Sequence, residues 1–111
     1  FTTITMYPRF DFFILAFNQL VNHLDKMNVM SNGKMKPRVI IRVAIGSKTP
    51  IDAGPQHTQN HTEASKKMLT YVEIVELNES EEIFPAFRKA YERTDSKPTL
   101  FIEHGEYYGT K

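Results

Sequence analysis

At 111 residues with 41% hydrophobic content, the chain has room for one globular domain with a modest core and is too short for two ordinary domains. Lys and Arg total 14 against 13 for Asp and Glu, and the charges are interleaved, so the composition indicates neither a nucleic acid nor an anionic membrane surface as a partner. The absence of cysteine excludes disulfides, thiolate zinc sites and a cysteine nucleophile, and it fits a cytoplasmic location.

The sequence carries no sign of a membrane anchor or an export signal. Its longest apolar run, residues 12–17, is about a third of the roughly 20 residues that a membrane-spanning helix needs. No basic start with a small-residue cleavage site precedes that run. The chain begins with Phe1 in an apolar, β-branched stretch, which suggests a part of a longer protein.

The first half of the chain predicts a strand, a helix and a second strand. Residues 1–7 are rich in threonine and isoleucine, which favours a strand that ends at Pro8. Asp11 is expected to cap a helix that ends at the SNGK sequence of residues 31–34. The apolar residues of this helix fall at helical spacing: Phe13, Phe17, Leu20, Val21, Leu24 and Met27. Residues 38–45 form a β-branched run, which predicts a strand covered on both faces.

The second half begins with a polar loop, residues 47–62, whose length is typical of a functional or disordered segment. A short helix over about 62–69 then leads to a strand at 71–78. The next helix starts near Asn78 or Ser80, and we expect Pro85 to distort its first turn. Its apolar face consists of Ile83, Phe84, Phe87, Ala90 and Tyr91. A strand at 99–105 precedes a polar, aromatic tail.

Strands therefore alternate with helices, and no hairpin dipeptide joins any two strands. This order favours parallel strands joined by right-handed crossovers. The sequence predicts an α/β fold with three layers and a mostly parallel sheet, as a single domain over residues 1–111.

His57 is the strongest candidate for a functional residue. Ligands of open parallel sheets collect outside the carboxyl ends of the strands, and the loop GPQHTQ, residues 54–59, leaves the carboxyl end of the strand at 38–45. An imidazole there can donate a proton or hold a negative group of a substrate. The alternative is a loop histidine that bonds Gln56, Gln59 or the backbone.

Two further sets of residues are weaker candidates. A metal could be bound by His57, His61 and Glu63 only if this segment of the chain were helical. Because Pro55 disfavours a helix there, we predict no metal site. Several aromatic residues near the start of the first helix are core candidates, of which Phe10 and Phe12 could instead face a flat ligand. Glu103 and His104 end a strand and either orient a site or form a solvated edge.

The GPQHTQ loop, followed by TEA at residues 62–64, resembles the GPQHSQ-type loop in the beta subunits of thiamine-diphosphate-dependent 2-oxo acid dehydrogenases, and transketolases carry a related loop. Four more segments are similar in order and spacing: MYPRFDFFILAFNQLVNHLDKM at 6–27, RVIIRVAIG at 38–46, YVEIVELNESEEIFPAFRKAYE at 71–92 and PTLFIEHGEYY at 98–108. The resemblance covers almost the whole chain. It implies the C-terminal part of a transketolase-like pyrimidine-binding domain, with a thiamine-diphosphate-binding fold truncated at its N-terminal end.

In that family the domain holds the aminopyrimidine ring of thiamine diphosphate, while a separate diphosphate-binding domain or alpha-type subunit binds the diphosphate and magnesium. The resemblance therefore implies a homo- or hetero-oligomer acting on a 2-oxo acid or a sugar. His57 matches the histidine that contacts the substrate and assists proton transfer, with Gln56 beside it as a substrate-binding residue. Phe12 matches the aromatic residue on the pyrimidine ring, and Phe10 competes for that role because the turn is about two residues longer than usual.

The chain also departs from the family pattern. No residue matches the glutamate that activates the aminopyrimidine, and no GDG-type diphosphate motif is present. The chain alone is therefore expected to be inactive, not to bind the cofactor by itself, and to leave an unpaired sheet edge with uncovered apolar surface. One alternative is a non-catalytic dimerisation or regulatory module that keeps the fold. Another is an unrelated α/β binding protein with a pocket complete within the chain.

Overall fold

The computed structural model describes residues 2–107, except the side chain of residue 107, and contains one sheet of four parallel strands. The strands are β1 (Thr3–Tyr7), β2 (Val39–Ile45), β3 (Glu73–Leu77) and β4 (Thr99–His104). The α-helices are α1 (Phe10–Phe13), α2 (Met27–Met30), α3 (Thr62–Met68) and α4 (Ile83–Tyr91). The strands match the four predicted from the sequence within two residues at the ends that the structure describes. Residue 1, the first of the predicted strand 1–7, lies outside the described residues.

The order of the strands in the sheet explains the three layers. The order is β1-β2-β4-β3, so the chain moves in one direction from β1 through β2 to β3 and then turns back to β4. Because parallel crossovers are right-handed, this reversal places α4 on the face opposite to α1 and α3. The predicted three-layer α/β fold with a parallel sheet is confirmed.

The core fills both faces of the sheet. On the first face, residues of β2 and β4 pack against the helical segment from Phe10 to Leu24 and against Leu69 and Val72. On the second face, Ile40, Leu77 and Phe101 pack under α4. Leu100, Phe101 and Ile102 are fully buried, because β4 is a central strand with a helical layer on each side.

The strand β1 is only partly covered. It pairs with β2 alone among the described strands, and Ile4 lies beside Ile40 in the register, on the face of α4. The α4 helix packs over β2, β4 and β3, and Ile4 and Met6 remain 56% and 38% exposed. Apolar surface of β1 therefore remains uncovered by the described residues at this edge.

The helical segment after β1 is irregular. The α1 helix continues as a 3-10 turn over Ile14–Ala16 and as a π-helix over Asn18–Leu24, before α2. The expectation that Asp11 caps this helix is wrong: the capping position is Arg9, no side chain bonds there, and the carboxylate of Asp11 accepts the Gln59 N–H at 3.1 Å. A long-range hydrogen bond has replaced the local one.

The helix α4 buries only part of its predicted apolar face. A 3-10 turn over Ser80–Glu82 precedes it, in agreement with the distorted start expected from Pro85. Phe87 stacks on Phe101 with 4.1 Å between ring centroids, whereas Phe84 is 71% exposed. Ile83 and Tyr91, the first and last residues of the helix, are also exposed.

The buried carboxylate of Asp25 joins the π-helix to the segment that enters β3. It accepts the backbone N–H groups of Thr70, Tyr71 and Val72 at 2.9, 2.7 and 2.8 Å, and the Thr70 hydroxyl at 3.0 Å. Burial alone would raise the pKa of Asp25, but hydrogen bonds from Lys26 and these N–H groups hold that pKa well below its usual range. The ionised carboxylate thus fixes how the first helical segment meets β3.

Candidate functional site

The start of α1 and the loop that contains His57 meet at the carboxyl edge of the sheet. The α1 helix follows the carboxyl end of β1, and the loop leaves the carboxyl end of β2. Because β1 and β2 are adjacent and parallel, both segments emerge at the same edge. The sequence placed His57 at this edge, and the structure locates it there.

Three successive residues of α1 each contact one residue of the loop: Phe10 contacts His61, Asp11 contacts Gln59, and Phe12 contacts His57. The three contacted loop residues are every second residue from 57 to 61, in the reverse order of their partners in α1. We call this set of six residues the loop clamp. It makes the start of α1 and the histidine loop a single structural unit.

The contact between Phe12 and His57 forms the outer end of the loop clamp. Their ring centroids are 5.4 Å apart and the rings meet edge to face at 74°. Phe12 is 50% exposed, His57 is half-buried, and the side chain of Gln56 is exposed beside it. An aromatic face, an imidazole and an amide are therefore accessible together.

Phe10 occupies the inner end of the loop clamp. Its ring is fully buried and meets the imidazole of His61 edge to face at 5.3 Å. Phe10 is thus part of the core beneath the loop, and Phe12 is the aromatic residue that reaches the surface. The structure separates two residues that the sequence left in competition.

A β-turn sets the position of His57 from its N-terminal side. The His57 N–H donates to the Gly54 carbonyl at 3.0 Å, which makes Gly54 and His57 the first and last residues of the turn, with Pro55 second, where proline favours such turns. The Thr58 hydroxyl donates to the same carbonyl at 3.0 Å. Gly54 has φ +95°, a conformation that side chains disfavour. Gly54 and Pro55 therefore make the turn, and His57 is its last residue.

Two polar groups of the loop clamp are buried. Asp11 is only 7% exposed; its Oδ1 accepts the Gln59 N–H, while its Oδ2 has no partner among residues 2–107. The Nε2 atom of His61 is likewise buried and has no partner in that part of the chain. Within the same residues, no group of three or more His, Cys, Asp or Glu side chains could hold a metal ion.

Glu103 and His104 lie apart from the loop clamp, at the carboxyl end of β4. Glu103 is buried and accepts two hydrogen bonds from the Arg42 guanidinium, at 2.5 and 2.9 Å, so it does not belong to a solvated edge. His104 lies 2.8 Å from a carboxylate oxygen of Glu76. Arg42, Glu103 and His104 border a pocket of about 340 Å³ under α4, whose other lining residues are Leu77, Glu79, Ser80, Ile83 and Phe87.

The sequence reasoning missed Arg42 and Asp11. Arg42 is the one charged residue of β2, and a charge in an otherwise apolar central strand signals a buried partner. Asp11 lies between the two aromatic residues named as candidates, but it was interpreted as the cap of the first helix because aspartate is common at that position. Both residues bond groups that are distant along the chain.

No helix within residues 2–107 is long and apolar enough to cross a membrane. Comparison with known protein families gives no match, and no curated protein matches the sequence.

Proposed function

We propose that the chain supplies one side of an interfacial thiamine diphosphate site, in an enzyme similar to the beta component of 2-oxo acid dehydrogenases or to transketolases. The observation that carries the proposal is the contact of Phe12 with His57 at the carboxyl edge of the sheet. The resemblance of residues 54–59 to the family loop supports the assignment of that edge. Phe12 and His57 are the residues that the resemblance assigns to the cofactor and to the substrate.

The residues present fit the pyrimidine side of the cofactor. Phe12 is 50% exposed, and an exposed aromatic side chain can pack on a flat heteroaromatic ring. The proposal assigns the diphosphate and magnesium to a diphosphate-binding domain or an alpha-type subunit. The complete site therefore requires a homo- or hetero-oligomer.

Bound thiamine diphosphate would supply a nucleophilic carbon for reaction with the carbonyl group of a 2-oxo acid or a sugar. His57 can hold a substrate carboxylate or oxygen and transfer a proton to it. The exposed amide of Gln56 can donate a second hydrogen bond to the same oxygen. The edge contact with Phe12 restricts the orientation of the His57 ring.

The test compares two histidine variants of the complete enzyme, which contains this chain, the activating glutamate that the chain lacks, and a diphosphate-binding partner. His57→Ala should lower turnover about 10²- to 10⁴-fold, the usual contribution of a positioned acid or base. His23→Ala removes an exposed histidine of the π-helix and should leave turnover unchanged. Both variants should keep the wild-type circular dichroism spectrum. Equal turnover of His57→Ala and wild type would refute the role of His57.

A further inference from the structure

Asp11 lies between the two aromatic residues of the loop clamp and binds the backbone of the histidine loop. Its Oδ1 accepts the Gln59 N–H at 3.1 Å, two residues after His57. We infer that Asp11 is a positioning residue, which fixes the histidine loop against α1 and thereby sets His57 against Phe12. No step of the proposed chemistry involves Asp11 itself.

His57 is held from both sides along the chain. On its N-terminal side, the turn from Gly54 anchors the His57 N–H at 3.0 Å. On its C-terminal side, Asp11 anchors Gln59. The turn is local to the loop, whereas the bond to Asp11 ties the loop to α1 two residues after His57, and the contact of Phe10 with His61 does so two residues further on.

The burial of Asp11 argues that the residue has a specific role. A carboxylate that is only 7% exposed has lost most of its hydration, which costs free energy unless hydrogen bonds replace it. Asp11 does not cap α1, and its Oδ2 has no partner among the described residues. Among the described residues, the bond to Gln59 is therefore the hydrogen bond that offsets this burial, and it ties the side chain to the histidine loop.

The positioning of His57 by Asp11 does not depend on the reaction. Only the effect of Asp11 on turnover rests on the proposed function. The two ideas are separated by measuring loop geometry on the chain alone and turnover on the assembled enzyme.

The geometric test uses NMR on the full chain. It measures amide exchange at Gln59 and the nuclear Overhauser effect between the ring protons of Phe12 and His57. Exchange at Val72, whose N–H donates to Asp25 at 2.8 Å, reports whether the rest of the fold is intact. Asp11→Ala should accelerate exchange at Gln59 about tenfold or more and abolish the ring contact, while exchange at Val72 stays slow.

Asp11→Asn keeps an amide oxygen as an acceptor and should preserve the ring contact. Asp95→Ala is the matched control, since Asp95 also accepts a backbone N–H, from Lys97 at 3.0 Å, far from the loop along the chain. Its removal should leave the signals of Phe12 and His57 unchanged. An intact ring contact in Asp11→Ala, with Val72 still protected, would overturn the inference.

If Asp11→Ala unfolds the chain, Gln59→Pro decides the question, because proline removes the donor N–H and leaves Asp11 in place. Gln59→Pro should also abolish the ring contact, and a persisting contact would overturn the inference. Loss of the ring contact in these variants supports the inference whatever the turnover of the assembled enzyme. Equal turnover of His57→Ala and wild type would refute the proposed function alone.

Discussion

The ring of Phe12 meets the imidazole of His57 edge to face, with 5.4 Å between their centroids. Phe12 follows β1 and His57 follows β2, so the contact forms only when the two strands lie side by side and parallel. The register of the sheet, Thr3 beside Val39 through Tyr7 beside Val43, therefore determines the geometry of the candidate site. Fold and site depend on each other at this edge.

Phe12→Ala should weaken the binding of thiamine diphosphate to the assembled site about tenfold, because an aromatic contact contributes up to roughly 1.4 kcal/mol. The free energy of unfolding should change by less than about 1 kcal/mol, since the ring is half exposed. Phe84→Ala is the matched control: it removes an exposed phenylalanine of α4, on the opposite face of the sheet. Equal loss of cofactor affinity in both variants, measured by calorimetry, would contradict the role of Phe12.

Asp25→Asn should lower the free energy of unfolding by about 3 kcal/mol at pH 7, because several backbone N–H groups lose an ionised acceptor that is buried. Asp95→Asn is the comparison. The Arg93 guanidinium and the Lys97 N–H also hold the pKa of Asp95 below its usual range, but its side chain is 51% exposed. We expect a loss below about 1 kcal/mol there. Urea unfolding checks both values, and similar losses would show that burial does not decide the effect.

The contribution of Asp25 should also depend on pH. Its pKa is lowered in the folded state, so the unfolded chain takes up the proton first as the pH falls. The stabilisation is complete above the unfolded pKa, near pH 4, and declines below it as the pH approaches the folded pKa. The stability difference between wild type and Asp25→Asn should therefore be constant from pH 7 to about pH 5 and shrink below about pH 4. A difference that grows at low pH would contradict the assignment.

The pair of Arg42 and Glu103 provides a test on the other face of the sheet. Arg42→Met removes the guanidinium from a buried carboxylate and should destabilise the fold by about 3 kcal/mol. Adding Glu103→Leu should recover most of that loss, since the carboxylate that lost the guanidinium is then removed as well. Urea unfolding of the single and double variants measures the recovery. A double variant less stable than Arg42→Met would show that Glu103 has another stabilising role.

The strands and their parallel order were predictable because they depend on local signals. Residues 38–45 and 99–105 are apolar runs bounded by proline or glycine, and they became Val39–Ile45 and Thr99–His104. The position of His57 followed from the rule that sites lie at the carboxyl ends of parallel strands. These features need no knowledge of distant contacts.

The roles of Asp11 and Asp25 were not predictable because their partners are distant in sequence. Asp11 bonds Gln59, 48 positions away, whereas the capping rule considers only its nearest neighbours. Asp25 bonds residues 45 to 47 positions away. The π-helix over Asn18–Leu24 was also missed, because apolar spacing does not separate it from an α-helix. Local pattern identifies the elements, and long-range hydrogen bonds decide how they are joined.

The most direct test of the central proposal is a calorimetric titration of the chain with thiamine diphosphate and magnesium, alone and then with a diphosphate-binding partner of the alpha-subunit type. The proposal predicts heat of binding only when the partner is present, beyond the heat of the partner alone, and a dissociation constant about tenfold higher in Phe12→Ala. The absence of binding heat from the assembled pair, or equal dissociation constants for wild type and Phe12→Ala, would contradict a cofactor site built on Phe12 and His57.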